Sequence, residues 1–489
     1  MSASRGFREI AAALLEEARC SVELPAGTGK TELIANVAAM AADLNRNCLI
    51  LTHTNAGVAA LDSRCRRMSV PAKHRAVSTI CSWGERVSVS YRVTSGISKD
   101  RGRRESGYFN DCVHGASLVM NLCAMRTALS SSYSVLLVDE YQDCNLLQHR
   151  LIEQLSVDIP CTIVFGDRLQ RIFDFPGEVF PDWSGDVLQV FPPFKGIEPH
   201  PHRWDKTNPA LGEWLLHDVR PALLANNKGL SFLDSCLNGY RHLRISDRYR
   251  DLPQIAGEVA GYPGSSLVIC PNLPVYRMEK LSKQLSFRYT QMEDIEGRFM
   301  QEQIEEFCKQ DDSSRRAVWL LGFSKRCFTG LSNVLDRPVA SAMENGSPIS
   351  KYSHSKARER FAAVLSAFEE TCTSFNTVSI SHVNSALRES PARLSRREAW
   401  EDTLEALRVF CNEGTDPLAA LERLRDQRRR FSQRIEGNQV SKTLLVKGLE
   451  YDNVLIVDTK ESIQGKAAYS AENLYVALTR PTTNLVVLD

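Results

Sequence analysis

Short, wholly apolar runs separated by stretches of helical periodicity organise the first 200 residues. Cys48-Leu49-Ile50-Leu51, Val135-Leu136-Leu137-Val138 and Cys161-Thr162-Ile163-Val164-Phe165 carry no polar alternation. That pattern predicts strands covered on both faces, as parallel strands are. Between them, Glu32 to Leu44 and Asn145 to Leu155 read as helices. Alternating strands and helices predict an α/β fold with an open sheet, whose ligands gather at the carboxyl ends of the strands. Further strands are predicted at Ser266–Cys270, Val318–Leu321, Asn453–Val457 and Asn484–Leu488.

Polar interruptions set the domain plan. A Ser-, Gly- and Arg-rich stretch from about Ser88 to Asn110 reads as a loop or small insertion, within a wider insertion near 84–132. The Pro- and Gly-rich passage from Phe175 to Pro209 marks the crossing into a second domain. The predicted division is 1–195 and 196–489. A charged helical block near 356–435 interrupts the second part and ends in Arg423, Arg425, Arg428, Arg429, Arg430 and Arg434.

Composition narrows the class. Of 489 residues, 43% are hydrophobic and 24% charged, which excludes a disordered chain. Sixty Lys and Arg against 59 Asp and Glu leave a net charge of +1, excluding a uniformly basic chromatin-type binder but not a locally basic cleft. No apolar run approaches the roughly 20 residues of a membrane span. Glu9, Glu16 and Glu17 break the charge order of an export signal. Fourteen cysteines without a CxxC pair read as small hydrophobes in a reducing compartment, so a cytoplasmic location is expected. They suggest neither a disulfide framework nor a structural zinc.

The chemistry concentrates at Pro25-Ala26-Gly27-Thr28-Gly29-Lys30-Thr31, between a strand-like run (Ser21 to Leu24) and a helical stretch. Glycines let consecutive N–H groups converge on phosphate oxygens. Lys30 is placed to reach terminal phosphates and Thr31 to offer its hydroxyl to Mg²⁺. The general phosphate-loop pattern has Gly where this chain has Leu24. A second signal is Asp139-Glu140-Tyr141-Gln142-Asp143, closing the strand Val135–Val138. Adjacent acids there can divide the work, Asp139 holding hydrated Mg²⁺ and Glu140 orienting the attacking water. A third strand ends in Gly166-Asp167-Arg168-Leu169-Gln170, with Gln170 a candidate sensor of the terminal phosphate. Together these residues point to a nucleoside triphosphatase that uses Mg²⁺.

The ordered segments resemble superfamily 1A DNA helicases of the UvrD/Rep-like group, from Pro25 to Leu488. Leu51-Thr52-His53-Thr54-Asn55-Ala56-Gly57 is similar to the family's TxxTNxAA-like segment, and Thr79-Ile80-Cys81-Ser82-Trp83 to its TFHSF-like segment. Asp139–Asp143 matches DExxD, and Gly166 to Phe175 resembles GDxxQxIYxF. Val446-Lys447-Gly448-Leu449-Glu450-Tyr451-Asp452 resembles KGLEFD, and Leu474-Tyr475-Val476-Ala477-Leu478-Thr479-Arg480 matches YVAxTR. The resemblance implies two RecA-like P-loop domains with parallel sheets and small, mostly helical insertions. ATP would lie between them, with Lys30, Thr31, Asp139 and Glu140 from the first. Arg203 and Arg480 would come from the second and reach the phosphates on closure, and Gly448 and Glu450 would aid nucleotide sensing. By itself Arg203 also reads as a loop arginine after Pro201, and Arg480 as a helix-end arginine facing solvent.

By the same resemblance, single-stranded or tailed duplex DNA would run over His53, Thr54, Asn55, Ser82, Trp83 and Phe173, with movement 3′ to 5′. Two family positions differ, His53 at the stacking aromatic and Cys81 at the histidine. Trp83 and Phe173 also read as core aromatics, and the Arg423–Arg434 stretch reads either as reinforcing the grip on DNA phosphates or as a solvated face. No Gln precedes the phosphate loop to read adenine. The compact layout is similar to the helicase-like component of Gabija-type anti-phage defence, which implies a nuclease partner or a homo- or hetero-oligomer; a repair helicase is the neighbouring reading. A different class also fits the residues: an ATP-binding, DNA-regulated module that gates a partner nuclease without processive unwinding.

Overall fold

The computed structural model describes residues 3–99, 107–173, 177–225, 231–272, 281–282, 284–285, 288–292, 297–349, 351–352, 359–430, 437–459, 462–463 and 466–489. The Gly/Arg run at 101–106, Asp174, Phe175 and Arg434 lie outside the described residues, as do the side chains of Arg428, Arg429 and Arg430.

The chain divides into two compact units. One comprises Met1–Arg241, Arg430–Ser432 and Tyr469–Asn484; the other comprises His242–Arg429, Gln433–Ala468 and Leu485–Asp489. The first therefore runs past the expected 195/196 boundary. The reason is local, since the Arg203 amide donates to the Gly27 carbonyl at 3.0 Å and Trp204 packs on the same glycine.

In the first unit, helix α1 (Ala3–Glu16) leads into strand β1 (Arg19–Glu23), α2 (Lys30–Asp43), β2 (Cys48–Thr52), α3 (Asn55–Arg67), β3 (Arg75–Thr79) and α4 (Ile80–Ser90). Helices Tyr108–Val119 and Cys123–Ser132 precede β4 (Val135–Val138), and helix Leu146–Asp158 precedes β5 (Cys161–Gly166). The strands form a parallel five-stranded sheet in the order β1-β5-β4-β2-β3. Every residue of β2, β4 and β5 is buried, the sandwiched state their apolar sequences call for. One core (Leu33, Ile34, Val37, Ile50, Leu137, Ile163) covers one face; another (Leu49, Leu51, Ile80, Trp83, Leu136, Val164) covers the other. Neighbouring residues of one strand fall into different cores because side chains alternate across a sheet.

Strand β6 (Tyr240–Leu243) begins in the first unit and ends in the second, where β7 (Ser266–Cys270) and β8 (Thr290–Gln291) precede a helical block. That block holds a two-stranded ribbon of β9 (Phe328–Thr329) and β10 (Arg393–Leu394). After it come β11 (Asn438–Lys442), β12 (Tyr451–Ile456), the small pair β13 (Ser462–Ile463) and β14 (Lys466–Ala467), and β15 (Pro481–Leu488), which starts in the first unit and ends in the second. Six strands make the second sheet, in the order β6-β15-β12-β7-β11-β8. Its β7–β11, β8–β11 and β7–β12 pairs are parallel. The two sheets, each built from α/β units, bear out the predicted fold class.

The helical block is larger than the insertion expected near 356–435. Helices run from Arg298 to Arg430 around one core that includes Met300, Leu320, Phe323, Phe368, Trp400 and Leu421. Val318–Leu321, predicted as a strand, lies inside the helix Ser313–Cys327. Its buried Ala317, Leu320, Leu321 and Ser324 follow the i, i+3, i+4, i+7 pattern of a helix face, which a four-residue apolar window conceals.

Candidate nucleotide site

The phosphate loop joins β1 to α2. Gly27 and Gly29 hold φ of +76° and +86°, the left-handed region that side chains rarely adopt. A Cβ on Gly27 would lie 2.5 Å from Cζ3 of Trp204, and one on Gly29 would lie 2.6 Å from Cζ of Phe7. Both positions thus require glycine for space as well as for dihedral. Thr28 tightens the loop by donating its hydroxyl to the Pro25 carbonyl at 2.8 Å. The Leu33 amide donates to the Gly29 carbonyl and starts α2, so Lys30 and Thr31 stand in its first turn.

Lys30 is 8% exposed, and its Nζ makes no hydrogen bond but lies 3.5 Å from Glu140 Oε1. Burial alone would push this ammonium down. The carboxylates of Glu140, Asp139, Asp167 and Asp143 outweigh that and hold its pKa above the ordinary value. Lys30 is consequently cationic at any physiological pH.

The acids stand where β4 and β5 end. Asp139 is buried and accepts the Glu140 amide at 2.9 Å, while its own amide donates to the Leu51 carbonyl at 2.8 Å. Glu140 has φ +55°, an uncommon conformation for a non-glycine residue. That turn sends its carboxylate toward Lys30, and the Gln142 amide donates to its other oxygen. Gln142 also accepts the Asp167 amide at 3.0 Å, tying the ends of β4 and β5 together.

A second charged knot was not read from sequence. Asp167 is fully buried; Gln170 donates to its Oδ2 at 2.8 Å and Arg220 to its Oδ1 at 2.5 Å. Arg220 also donates to Glu23 at 2.8 Å and lies 5.6 Å from the ring centre of Tyr475. The Ala26 amide of the phosphate loop donates to the Tyr475 hydroxyl at 3.2 Å. Burial comes first in raising the Tyr475 pKa, with Asp167 adding to it, so this hydroxyl stays neutral. Asp167 and Tyr475 lie in motif segments that the sequence marked, whereas nothing around Arg220 signalled its role.

Arg203 and Arg480 were expected on the second domain; both fall in the first unit with Lys30. The helix Ala471–Leu478 and the residues after it are fastened there. Arg203 donates to the Thr479 carbonyl at 2.6 Å, and the Trp204 indole to that of Pro481 at 2.7 Å. Arg480 is 1% exposed and donates to the Val476 carbonyl at 2.8 Å and the Thr479 hydroxyl at 2.9 Å. It is a buried helix-end arginine, not a solvent-facing one. Gly448 (φ +81°) and Glu450 belong to the second unit, where both are exposed.

The residues expected to line the DNA path divide. Thr54 and Asn55 are exposed and His53 is half-buried, with Nε2 3.3 Å from the Cys144 sulfur. Thr54 caps α3 by accepting the Gly57 amide at 3.0 Å. Ser82 donates its amide to the α4 cap, Thr79. Phe173 is half-buried. Trp83 is corrected: at 6% exposure it packs in the core with Leu49, Leu51 and Ile80, and stacking on a base would empty that place.

The residues fit a nucleotide with Mg²⁺. A buried lysine without a hydrogen bond suits a phosphate oxygen, and four carboxylates around it suit a divalent cation.

Two family models match. Residues 8–176 match the AAA domain, and residues 352–489 match the viral superfamily 1 RNA helicase core domain. Together they support a superfamily 1 helicase family. The two parallel-sheet domains are consistent with RecA-like helicase domains, and the matches indicate an NTPase of helicase type. No curated protein matches the chain. No helix among the described residues is long and apolar enough to cross a membrane.

Proposed function

We propose that the chain is an ATP-dependent translocase on single-stranded DNA, moving 3′ to 5′ and opening tailed duplexes in DNA repair or anti-phage defence. The observation that carries this reading is the Lys30 ammonium, buried without a hydrogen bond between a glycine loop and the paired acids at the end of β4. In the proposed cycle Lys30 binds the terminal phosphates; Thr31 and Asp139 would hold Mg²⁺, whose chemistry when bound would be that of a Lewis acid toward phosphate oxygens. Glu140 orients the attacking water and accepts its proton, and Gln170 senses the terminal phosphate. Arg203 and Arg480 stabilise the charge that develops on it. Gly448 and Glu450 are proposed to aid nucleotide sensing.

His53, Thr54, Asn55, Ser82 and Phe173 remain the proposed strand contacts. RNA is the second reading of the substrate, favoured by the description of the model that matches 352–489.

Tailed duplexes of both polarities, made in DNA and in RNA, test the proposal. ATP-dependent displacement from 3′-tailed DNA is expected. Displacement from RNA alone or from 5′ tails alone overturns the substrate or the direction. Strand-stimulated hydrolysis without displacement overturns the motor and supports a nuclease-gating module.

A further inference from the structure

The segment His200-Pro201-His202-Arg203-Trp204-Asp205 has chemistry that the nucleotide reading leaves unused. Pro201 (φ −81°, ψ 62°) sits at the centre of an inverse γ-turn, with the His202 amide donating to the His200 carbonyl at 2.9 Å. This folds the two imidazoles together, their centroids 4.6 Å apart. His202–Trp204 is then a 3₁₀ turn, in which positions i and i+3 stack one above the other. Asp205 is thereby brought under His202.

The result is a convergent donor set. His200 Nε2 is 2.7 Å from Asp205 Oδ1, and His202 Nδ1 is 3.3 Å from Asp205 Oδ2. All three ligand atoms lie within 4.8 Å of one another. Tetrahedral zinc with bonds of about 2.0–2.1 Å spaces its ligands by about 3.3 Å. Arg203 and Trp204, between the donors in sequence, are engaged with Thr479 and Pro481 and leave the cluster to the other three.

We propose that His200, His202 and Asp205 form a binding site for a transition-metal dication of the Zn²⁺ class, which tethers the 200–205 strap beside the phosphate loop. Two imidazole nitrogens and one carboxylate oxygen favour Zn²⁺ over Mg²⁺, which prefers oxygen throughout. Three protein ligands leave a fourth position for water. The strap is already tied to the loop, through the Arg203 amide on the Gly27 carbonyl and through His202, whose Cδ2 would lie 3.4 Å from a Cβ on Gly29. The site uses none of the residues assigned to hydrolysis except as neighbours, so it stands or falls separately from the nucleotide reading.

Metal-stripped full-length protein is titrated with Zn²⁺ against a chromophoric chelator in excess Mg²⁺, and separately with Co²⁺ read by visible absorption. One equivalent is expected to bind per chain, weakened at least ten-fold in both His200→Ala and Asp205→Asn. The Co²⁺ spectrum should lack a thiolate charge-transfer band, which excludes the exposed Cys123, Cys236 and Cys308 as ligands. Amide exchange across 200–205 should slow when Zn²⁺ binds. Absence of stoichiometric binding, binding undiminished in both folded variants, or a thiolate band overturns the site. Unchanged exchange overturns the tether.

Discussion

Arg220 and Asp167 make the sharpest statement at the scale of single residues. The Arg220 side chain is 9% exposed and that of Asp167 is not exposed at all. Taking two charges out of water is costly, and their contact at 2.5 Å offsets that cost only while both partners remain. Arg220→Met should therefore destabilise the first unit by about 3–5 kcal/mol, because it strands a buried carboxylate. Arg220→Met with Asp167→Asn should recover much of the loss, since the orphaned charge goes too. Chemical denaturation checks this, and a double variant no more stable than the single one contradicts it. Lys30 was legible beforehand because its chemistry is written in its neighbours, Gly27 to Thr31. Arg220 was not, because its partners Glu23, Asp167 and Tyr475 are far from it in the chain and only the fold gathers them.

Among the elements, the phosphate loop is the most constrained. Gly27→Ala meets two penalties, a left-handed dihedral costing roughly 1–2 kcal/mol and a collision with the Trp204 ring. Gly96→Ala meets only the first, for Gly96 has φ +73° and nothing within 4 Å of a built Cβ. Thermal unfolding should drop further for Gly27→Ala than for Gly96→Ala, and equal drops would contradict the packing of Trp204 on the loop. Strands β2, β4, β5 and β7 were readable since their apolar runs are covered on both faces. Strand β3 was missed. Its sequence Arg75-Ala76-Val77-Ser78-Thr79 is short and polar, with three of five residues only half-buried at the end of the sheet order. The helix Ser313–Cys327 was misread for the opposite reason, because the unbroken apolar run Val318–Leu321 looked like a buried strand.

For the whole molecule, the order of the motifs carried most of what the sequence could say, and the two family matches cover both ends of that order. What linear order concealed is that Tyr469–Asn484 returns to the first unit, bringing Tyr475 to the phosphate loop and Arg480 into the same unit as Lys30. The order of the second sheet was hidden as well, because β8 ends at Gln291 and its neighbour β11 begins only at Asn438, with a helical core between them. The proposed function thus turns on whether this phosphate site hydrolyses nucleotide in answer to a strand. Phosphate release from ATP, measured with and without single-stranded DNA for the wild type and for Lys30→Ala, tests that most directly. Strand-accelerated turnover is expected in the wild type, with a loss on the order of 10²-fold or more in the variant. Equal rates in the two proteins would contradict it.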